Sequence, residues 1–93
     1  MEAELHRLTG LTLLADDRPA EAEACFRRAL AVAERQEARF WALSAATSLA
    51  RLLGDEGRGP EAGALLAPMV GWFAEDAPLP ELRAARQLLS TVV

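Results

Sequence analysis

The side chains with chemical reach are few. In 93 residues there is one histidine, His6, and one cysteine, Cys25. His6 has no second histidine with which to share a metal or relay a proton, so it is expected as a surface or capping residue of a helix. Cys25 stands beside Phe26 on an apolar face. No second His, no Asn and no basic cluster is at hand to lower its pKa, so an inert buried thiol is expected rather than a nucleophile. The carboxylate pairs Asp16-Asp17, Asp55-Glu56 and Glu75-Asp76 carry the charge for a hard cation without the spacing of a calcium loop, and they suit solvated turns and helix caps. Gly57-Arg58-Gly59 lacks the lysine and the preceding strand of a phosphate loop. A lone cysteine excludes a disulfide framework and a cysteine-based zinc site. No enzyme activity, no cofactor and no metal is expected.

Recognition chemistry is better represented. Trp41 and Trp72 have the character of interface anchors, although flanking Phe40 and Phe73 favour core or inter-repeat packing. Arg7 and Arg51 are planar forks suited to a carboxylate on a peptide ligand. The competing reading is a solvated helix charge paired with a neighbouring Glu, worth ~0.2–0.5 kcal/mol each.

The elements that hold these groups follow from composition. At 52% hydrophobic and 26% charged residues the chain is one globular domain. A net charge of −4 excludes the basic face of a nucleic-acid binder. All ten basic residues are Arg, and Lys, Ile, Asn and Tyr are absent, the bias of a GC-rich, bacterial coding sequence. The first residues are charged and lack the basic and apolar regions of a signal peptide. The longest uncharged stretch, residues 62–74, contains Gly63, Pro68 and Gly71 and is too short to span a bilayer. A soluble, cytoplasmic protein with no membrane segment is expected.

Strong helix formers dominate and period-two alternation is absent. Breaks at residues 16–19, around Glu37, at residues 54–60 and at residues 75–80 predict five helices: about 2–15, 19–35, 38–53, 60–73 and 80–91. Pro19, Pro60 and Pro80 fit first-turn positions, with Glu21, Glu61 and Glu81 close behind at the positive end of the helix dipole. The predicted apolar stripes are Leu5, Leu8, Thr12 and Ala15; Ala22, Cys25, Phe26, Ala29 and Ala33; Phe40, Leu43, Ala46, Ala50 and Leu53; Ala62, Leu65, Leu66, Met69 and Phe73; and Leu82, Ala85, Leu88 and Leu89. Short connections make consecutive helices antiparallel.

A shift of forty residues lays the first helical pair on the second. Ala22 meets Ala62, Phe26 meets Leu66, Ala29 meets Met69, Gly10 meets Ala50 and Leu13 meets Leu53. Such a period marks a stacked helical array. Small residues at Gly10, Ala22, Ala50 and Ala62 suit a close crossing within each hairpin. The run Gly10…Leu13…Ala22…Phe26…Ala29 resembles a tetratricopeptide (TPR) repeat beginning at Ala3, with His6, Thr9, Leu13 and Glu34 departing from its usual Trp, Leu, Tyr and Pro. Residues 35–52 and 61–73 resemble the C-terminal TPR region of large bacterial signalling ATPases, multidomain proteins that often carry a class III adenylate cyclase domain. The resemblance covers nearly the whole chain. It implies an all-α, α-α superhelix of two antiparallel hairpins (residues 2–36 and 38–74) and a capping helix (79–91), as a terminal fragment of such a protein or a stand-alone relic of one. The catalytic domains of that family are absent, so none of their activity is implied.

The resemblance also implies a concave groove lined by the first helix of each hairpin: Glu4, Arg7, Leu11 and Leu14 in one copy, Ser44, Thr47, Arg51 and Asp55 in the other. Without Lys or Asn, the carboxylate clamp of chaperone-binding TPR domains is disfavoured. Five leucines, Leu5, Leu8, Leu11, Leu13 and Leu14, exceed one buried stripe on the first helix. Glu81, Arg83, Arg86 and Gln87 are expected on the outer side of the last helix, as a polar cap. A homodimer, or packing on a preceding repeat, is therefore expected. The leading expectation is a non-catalytic scaffold for protein–protein interaction with a protein or peptide partner. The alternative is a regulatory small-ligand sensor whose pocket is lined by Arg7, Arg51 and Trp41.

Overall fold

Segments rich in Ala, Leu, Glu and Arg lose little rotamer freedom in a helix, and five of them form α1 (Glu2–Ala15), α2 (Pro19–Arg35), α3 (Arg39–Asp55), α4 (Gly59–Val70) and α5 (Pro80–Val92). The structure is a computed structural model and describes residues 2–74 and 76–92; Met1, Val93 and Glu75, one half of the Glu75-Asp76 pair, lie outside the described residues. No strand occurs among the described residues. Pro19 and Pro60 occupy the first turns of α2 and α4, where the missing N–H has no intrahelical partner to lose.

The fourth helix ends at Val70, short of the expected Phe73. Pro68 lies inside it and cannot donate to the carbonyl of Ala64, and its ring crowds that oxygen. The chain then leaves through tight turns in which Trp72 N donates to Met69 O and Phe73 N to Val70 O.

The first three connections are copies of one another. Asp17, Glu37 and Gly57, spaced by twenty residues, all have positive φ: 61°, 53° and 77°. In each, the following N–H reaches back five residues: Arg18 to Leu13 O at 2.9 Å, Ala38 to Ala33 O at 2.9 Å, Arg58 to Leu53 O at 2.8 Å. The positive-φ residue itself donates to the carbonyl three residues back, Leu14, Glu34 and Gly54 respectively. This is the Schellman arrangement, which satisfies the last carbonyls of a helix and reverses the chain in three residues. Repeated at equal spacing, it builds the α1–α2 and α3–α4 hairpins alike and gives the fold its helical repeat-like character. Only Gly57 occupies the left-handed region without a Cβ penalty. Gly57→Ala should therefore cost ~1 kcal/mol, and Glu37→Gly should gain a few tenths to ~1 kcal/mol, in urea unfolding. Shifts of the same sign for both variants would contradict this account.

The expected capping role of the turn carboxylates is not found. Arg18, Ala38 and Arg58 stand at the N-cap positions of α2, α3 and α4, and none makes a side-chain cap bond. The Schellman turn places Asp16, Asp17 and Glu56 at the C-terminal side of the preceding helix, one or more residues too early to cap the next.

Each helix packs on its successor, and α3 also packs on α1 and α5. The odd helices thus form one layer with α3 central, and α2 and α4 form a second. A helix touched from four sides must be apolar nearly all round, and α3 buries Ala42, Leu43, Ala45, Ala46, Leu49, Ala50, Leu52 and Leu53. The stripes expected on α2, α3 and α4 are largely core: Ala22, Phe26, Ala29 and Ala33, then Leu43, Ala46, Ala50 and Leu53, then Ala62, Leu66 and Met69. Phe40 is the exception on α3; it is half-buried, one turn outside the shared core, with its ring edge-on to Trp41 at 5.1 Å. Cys25 is a half-buried free thiol.

The stripe expected on α1 is reversed. Ala3 and Gly10 are its buried residues, and Leu13 and Leu14 pack partly against the core. Leu5, Leu8, Thr12 and Ala15 are exposed. The cause is the fit of α2: a Cβ built on Gly10 would lie 2.5 Å from Phe26 Cε1, so only the glycine side of α1 admits the phenyl ring. At the other end, Gly54 and Gly59 receive the C-terminus of α5, and Cβ atoms there would lie 3.2 Å from Val92 Cγ1 and from Val92 O.

Candidate functional site

The side chains expected to line a groove divide into two groups. Arg7 is engaged within the fold. Its Nε and Nη2 each donate at 2.7 Å to the two carboxylate oxygens of Glu4, one turn away, and Nη1 reaches Ser48 Oγ of α3 at 3.4 Å. Both side chains of this pair are about one-fifth exposed. The bidentate contact holds the Glu4 carboxyl below its ordinary range and raises Arg7 above its own, with Glu81 of α5 adding attraction. Arg7 is therefore the neutralised helix pair of the blander expectation and ties α1 to α3. Thr47 is buried, and its hydroxyl donates to Leu43 O at 2.7 Å inside α3, so it presents nothing to a groove. Leu14 is half-buried against the core and Leu11 is 40% exposed.

Arg51 and Asp55 fare differently. They line a cleft of about 430 Å³ between the α3–α4 turn and α5, with Leu88 and Val92 on the far wall. A second, adjoining cleft shares Arg51 and adds Ala84 and Gln87. Arg51 is exposed and makes no ion pair among the described residues. Ser48, which Arg7 touches, lies three residues before Arg51 on the same face of α3. The odd-helix layer thus carries one engaged and one available guanidinium. Trp41 does not join them. Ten residues separate it from Arg51 along α3, about 15 Å at the helical rise, which is too far for one small metabolite to bridge.

The even-helix layer holds a network that the sequence reading missed. Arg58 donates to Glu23 at 2.9 Å and to Glu61 at 2.9 Å; Arg27 donates to Glu23 at 2.8 Å and to Glu61 at 2.9 Å. The backbones of α2 and α4 make no close approach, and these four side chains bridge the distance between them. Its signal was present: Arg18–Glu21 and Arg58–Glu61 are the same (i, i+3) pair forty residues apart, at 2.6 and 2.9 Å. Hydrogen bonds from Arg58 and then Arg27 hold the Glu23 carboxyl below the ordinary carboxylate range. A carboxylate with a depressed folded pKa contributes stability that is present above its unfolded value and lost as the pH falls through the folded one. The network is partly exposed, so its contribution is screened. Acid denaturation followed by circular dichroism should steepen below pH 4.5, and Glu23→Gln should flatten that limb. Identical acid limbs in variant and wild type would remove the network from the account.

Three leucines stand outside the core: Leu5, Leu8 and Leu11 of α1 are 64%, 47% and 40% exposed. The opposite end of the stack is polar, with Arg83 and Gln87 of α5 exposed. Of the four residues expected on that outer side, Glu81 and Arg86 are half-buried instead, Arg86 donating to Ala74 O at 3.3 Å and so tying the α4–α5 connection to α5. Trp72, expected in packing, is 38% exposed, and the Arg39 guanidinium lies 5.5 Å from its ring centre. It became exposed because α4 stops at Val70 and the chain turns outward.

No group of three or more His, Cys, Asp or Glu fit to hold a metal ion occurs among the described residues, and no helix of theirs is long and apolar enough to cross a membrane. No family model, no curated protein and no solved structure matches the chain.

Proposed function

We propose that the chain is a non-catalytic helical-repeat scaffold, of the tetratricopeptide type, that binds a protein partner or a second copy of itself. The observation that carries this reading is the leucine face of α1. Leu5, Leu8 and Leu11 are exposed on the side of α1 turned away from the rest of the stack, a face that a repeat array covers with a polar cap or a neighbour. The other end has a polar helix, and the first has none. Contiguous exposed leucines on a small soluble domain mark an interaction face. A second support is Arg51, an available guanidinium beside a cleft between α3 and α5, with the fork geometry that a partner's carboxylate fits. Nothing in the structure favours the small-ligand sensor, because Arg7 is engaged and Trp41 stands apart from Arg51.

Sedimentation velocity over a dilution series tests the reading. A stable complex, with itself or with a partner recovered by cross-linking, should be lost in the Leu5→Glu/Leu8→Glu double variant while its helical circular dichroism is kept. Both sites are exposed, so the fold should tolerate the charges. A complex that survives this variant and Arg51→Ala alike would overturn the assignment of the binding surface.

A further inference from the structure

The exposed Trp72 lines a cleft that shares no residue with the α1 leucines. A cleft of about 460 Å³ lies where α2 ends and α3 begins, with Trp72 as one wall, Ala33, Ala38 and Ala42 as the floor, and Glu34 and Glu37 at the rim. The two carboxylates, like several others in the chain, make no ion pair among the described residues. Glu4, Glu21, Glu23, Glu56 and Glu61 are each paired with an arginine. Glu34 and Glu37 have no such partner among the described residues, although Arg39 lines the same cleft. Arg39 places its guanidinium over the Trp72 ring at 5.5 Å instead. The indole face thus already attracts a cation, and the two carboxylates that share its cleft outnumber the one guanidinium there.

From this we infer that the Trp72 cleft is a docking site for an arginine side chain of a partner polypeptide, stacked on the indole and forked by the carboxylates of Glu34 and Glu37. Charge sets the occupant: two carboxylates and one guanidinium leave the cleft net negative, on a chain whose own net charge is −4. Shape sets it too, because a planar guanidinium both stacks on an aromatic ring and pairs with carboxylates, which a lysine ammonium does less well. Arg39 is then a stand-in for the partner's side chain and its competitor for the ring. Its removal should strengthen the site. An anion site would require the opposite, since Arg39 would be its principal ligand.

The test uses the whole chain and two capped tetrapeptides, Gly-Arg-Arg-Gly and Gly-Glu-Glu-Gly, with the indole N–H resonance of Trp72 (assigned through Trp72→Phe) as the readout. The arginine peptide should shift it saturably and the glutamate peptide should not. Arg39→Ala should tighten arginine binding about two- to five-fold, the scale of one exposed cation–π contact. Glu34→Gln/Glu37→Gln should weaken it by at least as much. These three side chains are exposed, so the core is untouched by their replacement. Weaker binding in Arg39→Ala, preference for the glutamate peptide, or no saturation by roughly 10 mM, beyond the weak end of useful affinity, would each overturn the proposal.

Discussion

Phe26→Ala should cost about 3–5 kcal/mol, toward the upper end of what truncation of a buried aromatic removes. Phe26 is fully buried, and its ring lies against the backbone of α1 at Gly10, which has no side chain to relax into the space left behind. Cost rises with the cavity that cannot collapse. A domain of this length has roughly 5–14 kcal/mol in all, so the variant should sit close to unfolding in urea titrations followed by circular dichroism. The same contact fixes the sign of the reciprocal change. Helix propensity alone says Gly10→Ala gains ~1 kcal/mol. The new methyl would meet Phe26 Cε1 at 2.5 Å and Cδ1 at 2.7 Å, and overpacking costs ~1–3 kcal/mol, so Gly10→Ala should destabilise. Trimming the ring with Phe26→Leu should relieve the clash, leaving the double variant more stable than the sum of its parts by ~0.5 kcal/mol or more. Strict additivity would show that Phe26 and Gly10 do not share the space as described.

That one contact also shows what could be read from the sequence and what could not. The forty-residue correspondence rests on small residues at the crossing of each hairpin, and the pairing of Gly10 with Ala22 is a periodic property that sequence displays directly, whereas the seating of the Phe26 ring on Gly10 is visible only in the packed hairpin. The helices and their turns were legible for the same reason: propensity, proline and glycine act within a few residues. The identity of the face that α1 buries was not. Leucine occurs on more than one side of α1, and only the approach of α2 decides which side is filled. Arg7 and Thr47 were placed in a groove by analogy of position, yet Glu4 and the carbonyl of Leu43 claim their polar atoms first. The Trp72 cleft depends on where α4 stops, and the effect of Pro68 three residues earlier than expected turned a core tryptophan into a surface one. Long-range ion pairs such as Arg58–Glu23 are set by packing of two hairpins, although their local half, Arg58–Glu61, is written in the repeat.

Leu82→Ala should cost about 2–5 kcal/mol, and the loss should be felt unevenly. Leu82 is the one large side chain that α5 buries completely; Ala85 is small, and Leu88, Leu89 and Val92 are partly covered. Among the described residues the backbone of this helix packs on those of α3 and α4, and it follows α4 after an interval of nine residues. In a stack whose units contact only neighbours, stability is a sum of unit and interface terms, so an end unit can open alone. Hydrogen exchange by NMR distinguishes the cases. If α5 opens as a unit, amides of Arg86 to Leu89 should exchange about 30- to 5,000-fold faster in Leu82→Ala, the range that about 2–5 kcal/mol corresponds to at 1.36 kcal/mol per decade, while amides of Ala29 in α2 change little. Equal acceleration in α2 and α5 would mean that the chain unfolds as one cooperative core. The difference bears on function, because an α5 that opens alone uncovers the cleft beside Arg51 without disturbing the leucine face of α1, and the two surfaces could then be engaged independently.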